Sequence, residues 1–254
     1  MSRTRAIGKT LSIAAMAALL TGCSTSGPSS TEKLAERAVD AGDYNTAASL
    51  YRQAYDANPN SVEALLGLGR SYAGLGQYTR AEQALAQAKQ RRPRDSEVLL
   101  ELARTQLETG KAQSALTNLD QALAISPRNL QVITARGIAL DQLSRHAEAQ
   151  ASYRSGLAID PTNFALLSNL GLSYGLSGQS DEGIRILREL VRDNAASART
   201  RGNLALVYGI SGRERDARAT LSTDLTPSQI DSNIAYYREL RTLLGTGKPI
   251  GKLR

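Results

Sequence analysis

Residues 62–93, VEALLGLGRSYAGLGQYTRAEQALAQAKQRRP, decide the fold. Apolar residues recur at helical spacing on either side of Gly76, so the stretch predicts a helix over 62–75, a turn at 76–78 and a second helix over 79–91. Glycine suits the left-handed backbone angles that end the first helix, and Pro93 cannot continue the second. The unit then recurs: Pro59, Pro93, Pro127 and Pro161 lie 34 residues apart in a chain with only seven prolines. Three more columns keep the same period: Gly42, Gly76, Gly110, Ser144, Gly178 and Gly212; Ala47, Ala81, Ala115, Ala149, Gly183 and Ala217; and Ala35, Gly69, Ala103, Gly137, Gly171 and Ala205. The first column marks turns, and the small residues of the other two let paired helices approach closely. A fixed period of this length predicts a solenoid in which each unit buries its apolar face against its neighbours.

The unit resembles the tetratricopeptide repeat (TPR), which carries leucine, glycine and tyrosine on its helix A and alanines and a closing proline on its helix B. Leu68, Gly69, Tyr72, Ala81, Leu85, Ala88 and Pro93 carry the resemblance best. Starting units at Pro28, Val62, Ser96, Leu130, Phe164 and Ala198 gives six repeats over residues 31–225, the last one degenerate. Departures are local: Arg136 takes the leucine position of repeat four, and repeats five and six lack the closing proline. The expected fold class is all-α, a TPR solenoid of about six helix-turn-helix repeats with a C-terminal capping helix. The cap comes from Thr226-Pro-Ser-Gln229, which has the form of a capping box with proline at the first helical position. Ile230, Ile234, Tyr237 and Leu244 follow it at helical spacing.

Bulk composition narrows the function. Aromatics are 4% and tryptophan is absent, and Tyr51, Tyr72, Tyr153, Tyr174 and Tyr208 fall on repeat positions that pack between helices, so they read as core. The formal charge of +7 includes Arg3, Arg5 and Lys9 of a removable leader, and the remaining balance of about +4 is too mild to indicate nucleic acid. The run from Lys89 to Arg94 ends a helix B, where cations complement the helix C-terminus.

Residues 1–22 read as a signal peptide, with basic Arg3, Arg5 and Lys9 ahead of an apolar stretch over 11–20, about half the length that spans a bilayer. Leu20-Thr-Gly-Cys23 resembles the lipobox of bacterial lipoproteins, and Cys23 is the only cysteine. The resemblance implies that the Cys23 thiol is lipidated and becomes the mature N-terminus, and Ser24 after it implies the outer membrane, with the repeats facing the periplasm. Several acyl chains would anchor stably where one binds only marginally. Residues 23–30 are expected to form a flexible tether reaching at most about 25 Å at ~3.3–3.6 Å per residue. The solenoid with its cap is expected over 31–244, and a basic disordered tail over 245–254.

No chemistry emerges from the residue pattern. His146, the single histidine, precedes helix B of repeat four, apart in sequence from any cluster that would build a triad or zinc site. Gly8-Lys9-Thr10 and Gly247-Lys248 lack the spacing of a phosphate-binding loop. The expectation is a non-enzymatic protein with no cofactor and no metal. The TPR resemblance implies instead a partner-binding face on helix A, including Arg70, Arg104, Gln131, Asp141, Asn169, Leu172, Arg199 and Asn203. Asn169-Leu-Gly-Leu and Asn203-Leu-Ala-Leu are one period apart, so both amides should point into the groove, where an amide can donate to and accept from a peptide backbone.

The lipobox, the repeats and the segment Asn233-Ile-Ala-Tyr-Tyr-Arg238 together resemble the TadD family of tight-adherence (Flp) pilus assembly lipoproteins. That resemblance implies a scaffold or pilotin-like role, with the secretin or other pilus-assembly proteins as partners, the membrane reached through the lipid anchor, and no nucleic acid. The alternative is a TPR lipoprotein adaptor for peptidoglycan or outer-membrane assembly enzymes.

Overall fold

The computed structural model describes residues 29–192 and 197–246. Signal peptide, Cys23 and the tail from residue 247 onward lie outside the described residues. Among the described residues there are thirteen helices and no strand. Six pairs follow the 34-residue period: α1 (Ser30–Asp40) and α2 (Tyr44–Ala57), α3 (Val62–Gly74) and α4 (Tyr78–Arg91), α5 (Ser96–Glu108) and α6 (Ala112–Ile125), α7 (Leu130–Gln142) and α8 (His146–Leu157), α9 (Phe164–Leu176) and α10 (Ser180–Arg192), α11 (Ala198–Ile210) and α12 (Glu214–Leu221). The degenerate sixth repeat shows in α12, which has only 8 residues. The cap is α13 (Pro227–Gly245).

Local chemistry sets the boundaries. Ser29 caps α1 by accepting from the Glu32 N–H, and Glu32 accepts in return from the Ser29 N–H. Ser61, Asp95, Asn129, Asn163 and Ser197 cap the later A helices by accepting from first-turn N–H groups. Each turn from helix A to helix B passes through one residue of positive φ, glycine in five repeats and Ser144, at φ 58°, in the fourth. The prolines at 59, 93, 127 and 161 follow the ends of α2, α4, α6 and α8.

Packing follows the small-residue columns. Ala47, Ala81, Ala115, Ala149 and Ala217 have no exposed surface, and neither do Ala35, Ala103 and Ala205. At Gly69 and Gly137, where glycine takes the place of alanine, a larger side chain fills the space: a Cβ at Gly69 would lie 2.4 Å from Leu85, and one at Gly137 would lie 2.2 Å from the Tyr153 ring. The core is a series of three apolar clusters along the stack, the first with Leu65, Leu68 and Leu85, the second with Leu99, Leu119 and Leu140, and the third with Leu187, Val207 and Ile234. Helices pack on their sequence neighbours, and each A helix packs on the A helix of the next repeat. Of the five tyrosines read as core, four are buried and Tyr174 is half-buried, its phenol accepting from Arg154 at 3.1 Å.

The two ends differ. Leu34 is 53% exposed, whereas its equivalents Leu68 and Leu102 are 2% and 4% exposed, because no repeat packs on the open side of α1 among the described residues. Exposed Lys33 and Arg37 flank it. At the other end α13 buries Ile230, Ile234, Tyr237 and Leu240, and Gly209 of α11 lets the Tyr237 ring approach to where a Cβ would stand. Pro227 opens α13, and the Thr226 N–H donates to Gln229 Oε1 at 2.9 Å. The outward face of α13 ties back through Arg238 to Glu214 and through Asp231 to Arg218.

Candidate functional site

A groove of about 880 Å³ runs along the A helices, from Arg104 on α5 through Gln131 and Ile138 on α7 and Phe164 and Asn169 on α9 to Arg199 on α11. These residues share one face because the 34-residue period stacks equivalent positions of successive A helices. Phe164 is 45% exposed there, one of the few large apolar side chains the described solenoid leaves open. Asn169 and Arg199 have no hydrogen bond or ion pair among the described residues. Gln142 Oε1 also lines this groove region buried and unpartnered.

The other expected site residues separate into two groups. Arg70 and Arg104 lie one period apart but are tied to the groove wall: Arg70 meets Glu97 and, at 3.4 Å, Glu101, while Arg104 meets Glu101 at 3.0 Å and donates to Gln131 Oε1 at 3.2 Å. Burial works against the Arg70 charge, but Glu101 and Glu97 hold its pKa above the ordinary value. Asn203 donates to Ser168 Oγ at 3.0 Å, so this amide braces α11 against α9, unlike its counterpart Asn169. Leu172 is half-buried and packs against the apolar layer of the last repeats.

Asp141 and His146 require corrections. Asp141, assigned to the binding face, is 8% exposed, and its oxygens are held by neighbours: Oδ1 accepts from Ser173 Oγ at 2.7 Å and lies 2.8 Å from His146 Nδ1, and Oδ2 accepts from Tyr153 at 3.0 Å. The same column is buried at Leu107, Gly175 and Gly209, so it faces inward in other repeats too, and here three donors receive the carboxylate. His146, expected to lie away from any Cys, Asp or Ser cluster, is instead joined through Asp141 to Tyr153 and Ser173 in a buried polar cluster. Burial, and then Asp141, push the Tyr153 pKa well above its ordinary value, so this phenol stays a donor. Ser173 bonds to Asp141 rather than to His146, so the cluster lacks the nucleophile-to-base bond of a hydrolytic triad. Phe164 was missed as a groove residue; its place at the first position of repeat five, where repeat two has Val62 and repeat four Leu130, was the available signal.

Residues 38–104 and 74–136 match a family model described as tetratricopeptide repeat. A tetratricopeptide repeat protein from Parabacteroides merdae superposes with TM-score 0.67 at 20% identity, covering 84% of this chain and 89% of that one. A thermophilic TPR protein in Thermus thermophilus gives 0.60 at 23% over 70% of this chain and 96% of its own. MamA AMB-1 gives 0.53 at 27% over 66% and 92%. No curated protein matches. The fold is a tetratricopeptide-repeat solenoid, the class of helical scaffold to which these structures also belong.

Proposed function

We propose that the chain is a lipid-anchored scaffold that holds a protein partner in its A-helix groove and assists assembly of the tight-adherence (Flp) pilus at the outer membrane. The observation that carries the scaffold reading is the groove itself, where Phe164 stands half exposed beside Asn169 and Arg199, which have no partner among the described residues. An open apolar ring offers buried area, and unengaged amide and guanidinium groups offer hydrogen bonds without first breaking internal ones. The lipid anchor rests on Leu20-Thr-Gly-Cys23, and the pilus assignment rests on the resemblance of residues 233–238.

The test is a deletion strain complemented with the original chain or with Cys23→Ser. Deletion should remove surface pili and reduce or misplace secretin multimers while pilin is still made, and Cys23→Ser should leave the protein unlipidated and reproduce much of that loss. Normal pili and secretin together with defective cell-wall or outer-membrane assembly would transfer the assignment to the enzyme-adaptor reading. Lipidation is read separately by mass spectrometry of the mature N-terminus.

A further inference from the structure

Arg52 of α2 and Arg80 of α4 converge on one atom. Arg52 Nη2 donates to the Tyr72 hydroxyl at 3.0 Å, and Arg80 Nη2 donates to the same oxygen at 2.9 Å. Arg80 is fixed further, because its guanidinium lies over the Tyr72 ring, 4.1 Å from the centroid, and its Nη1 donates to Gln77 Oε1 at 2.7 Å. Two permanent cations therefore stand side by side, and neither has an ion pair among the described residues. Tyr72 is 6% exposed and its oxygen already accepts twice, which leaves its own proton without an acceptor among the described residues.

Comparison with the other units separates what the fold needs from what is added here. A bond from a B-helix arginine to the tyrosine of the next unit recurs three repeats on, where Arg154 donates to Tyr174. Position 80 does not recur as a base: its equivalents are Thr46, Ser114, Glu148, Glu182 and Asp216, an acid in each of the last three units. Repeat two thus sets a second guanidinium where later repeats set a carboxylate, although like charges at this separation repel. Arg52, Tyr72 and Arg80 line a cavity of about 90 Å³ together with Tyr55, Gln83 and Gln87. The Tyr55 hydroxyl donates to Gln87 Oε1 at 3.3 Å, which leaves the amide nitrogen of Gln87 as a donor. Among the described residues no carboxylate lines this cavity, and Asp56, one turn along α2 from Arg52, is not part of its wall. The cavity shares no residue with the A-helix groove.

We propose that this cavity binds a phosphate group, either the free ion or the head of a small phosphate ester. Its oxygens accept from the two guanidiniums, from the Tyr72 hydroxyl and from the Gln87 amide, and its charge offsets the repulsion between the arginines. Guanidinium only donates and stays protonated, so this donor set depends on no tautomer and on no pH. Paired arginines also match phosphate in geometry, since each can offer two parallel N–H groups.

Calorimetric titration of the full chain in a phosphate-free buffer of low ionic strength tests the site, with inorganic phosphate, glycerol phosphate, acetate and chloride as titrants. Inorganic phosphate should bind saturably at one site per chain below about 10 mM. Equal binding of glycerol phosphate assigns the site to the head of an ester, and binding of the free ion alone assigns it to inorganic phosphate. Arg52→Gln and Arg80→Ser, the residue of repeat three, should each weaken phosphate about tenfold, and Arg80→Glu, the acid of repeats four and five, should abolish binding. Arg94→Gln removes an exposed, unpaired cation elsewhere and should leave binding unchanged. Melts of the same samples show that the variants are folded: phosphate should raise the midpoint of the original chain and not that of Arg80→Glu. The proposal fails if phosphate gives no saturable signal up to about 10 mM, if acetate or chloride binds as tightly, or if Arg80→Glu binds phosphate as the original does.

Discussion

Gly183 of α10 faces the backbone of α9, and replacing it by alanine tests the helix contact on which the repeat depends. A Cβ there would stand 2.4 Å from the Gly171 carbonyl oxygen and 3.1 Å from the Gly175 nitrogen, and neither atom can swing aside as a side chain can. Alanine gains roughly 1 kcal/mol in helix propensity, while overpacking a tight interface costs ~1–3 kcal/mol, with rigid backbone on the receiving side placing this case at the upper end. The net loss should be about 2 kcal/mol, which for a chain of this size lowers the melting midpoint by about 4–8 °C. Gly202, inside α11 with no atom within 4 Å of a built Cβ, is the matched control. Alanine there should keep the propensity gain and raise the midpoint by about 1–4 °C. Circular dichroism melts of the two variants decide the matter. Equal shifts, or a rise in both, would mean that α9 and α10 are not held at the separation described and that the small-residue column has another cause.

Two further expectations concern the first repeat and the groove. Burial works against the charge of Glu32, but hydrogen bonds from Ser61 and Ser29 hold its pKa below the ordinary 4.5, so the stability it lends is present above that value and is lost as pH falls through the lowered one. The protection factors of the α1 amides, which remove the intrinsic pH dependence of exchange, should therefore fall as pH drops below the ordinary 4.5, and Glu32→Gln should flatten that change; an unaltered profile in the variant would remove Glu32 from the explanation. In the groove, Asn203→Ala strands the buried Ser168 hydroxyl and should cost ~1–2 kcal/mol in a melt, whereas Asn169→Ala should stay within about 0.5 kcal/mol and weaken partner binding instead. The reverse order would exchange the roles of the two amides.

The period made most of the fold legible before any coordinates. Glycine at 76 and 110 and proline at 93 and 127 mark turns by backbone sterics that act within one residue, so their positions transfer directly to structure. Even Ser144, a departure in composition, keeps the left-handed angle of its column. Side-chain partnership was less legible, because the period says which column faces inward or outward but not what waits there. Arg70 and Arg104 occupy the expected helix, but Glu97, Glu101 and Gln131 engage them from the same or neighbouring A helices. Asp141 draws its partners from 5, 12 and 32 residues away, a set assembled only when repeats four and five stack.

The restriction of packing to adjacent helices and consecutive A helices has a mechanical consequence. A load applied between the two ends of such a molecule passes through each unit in series, with no long-range strut among the described residues to share it, so the weakest unit yields first while those beyond it keep their shape. Among the described residues the amino-terminal edge at Leu34 has neighbours on one side only, whereas the last unit is clamped by α13. Pulled from its amino terminus, the chain would lengthen from that edge inward, one pair of helices at a time, and the groove on α5 to α11 would keep its shape until the first two pairs had yielded.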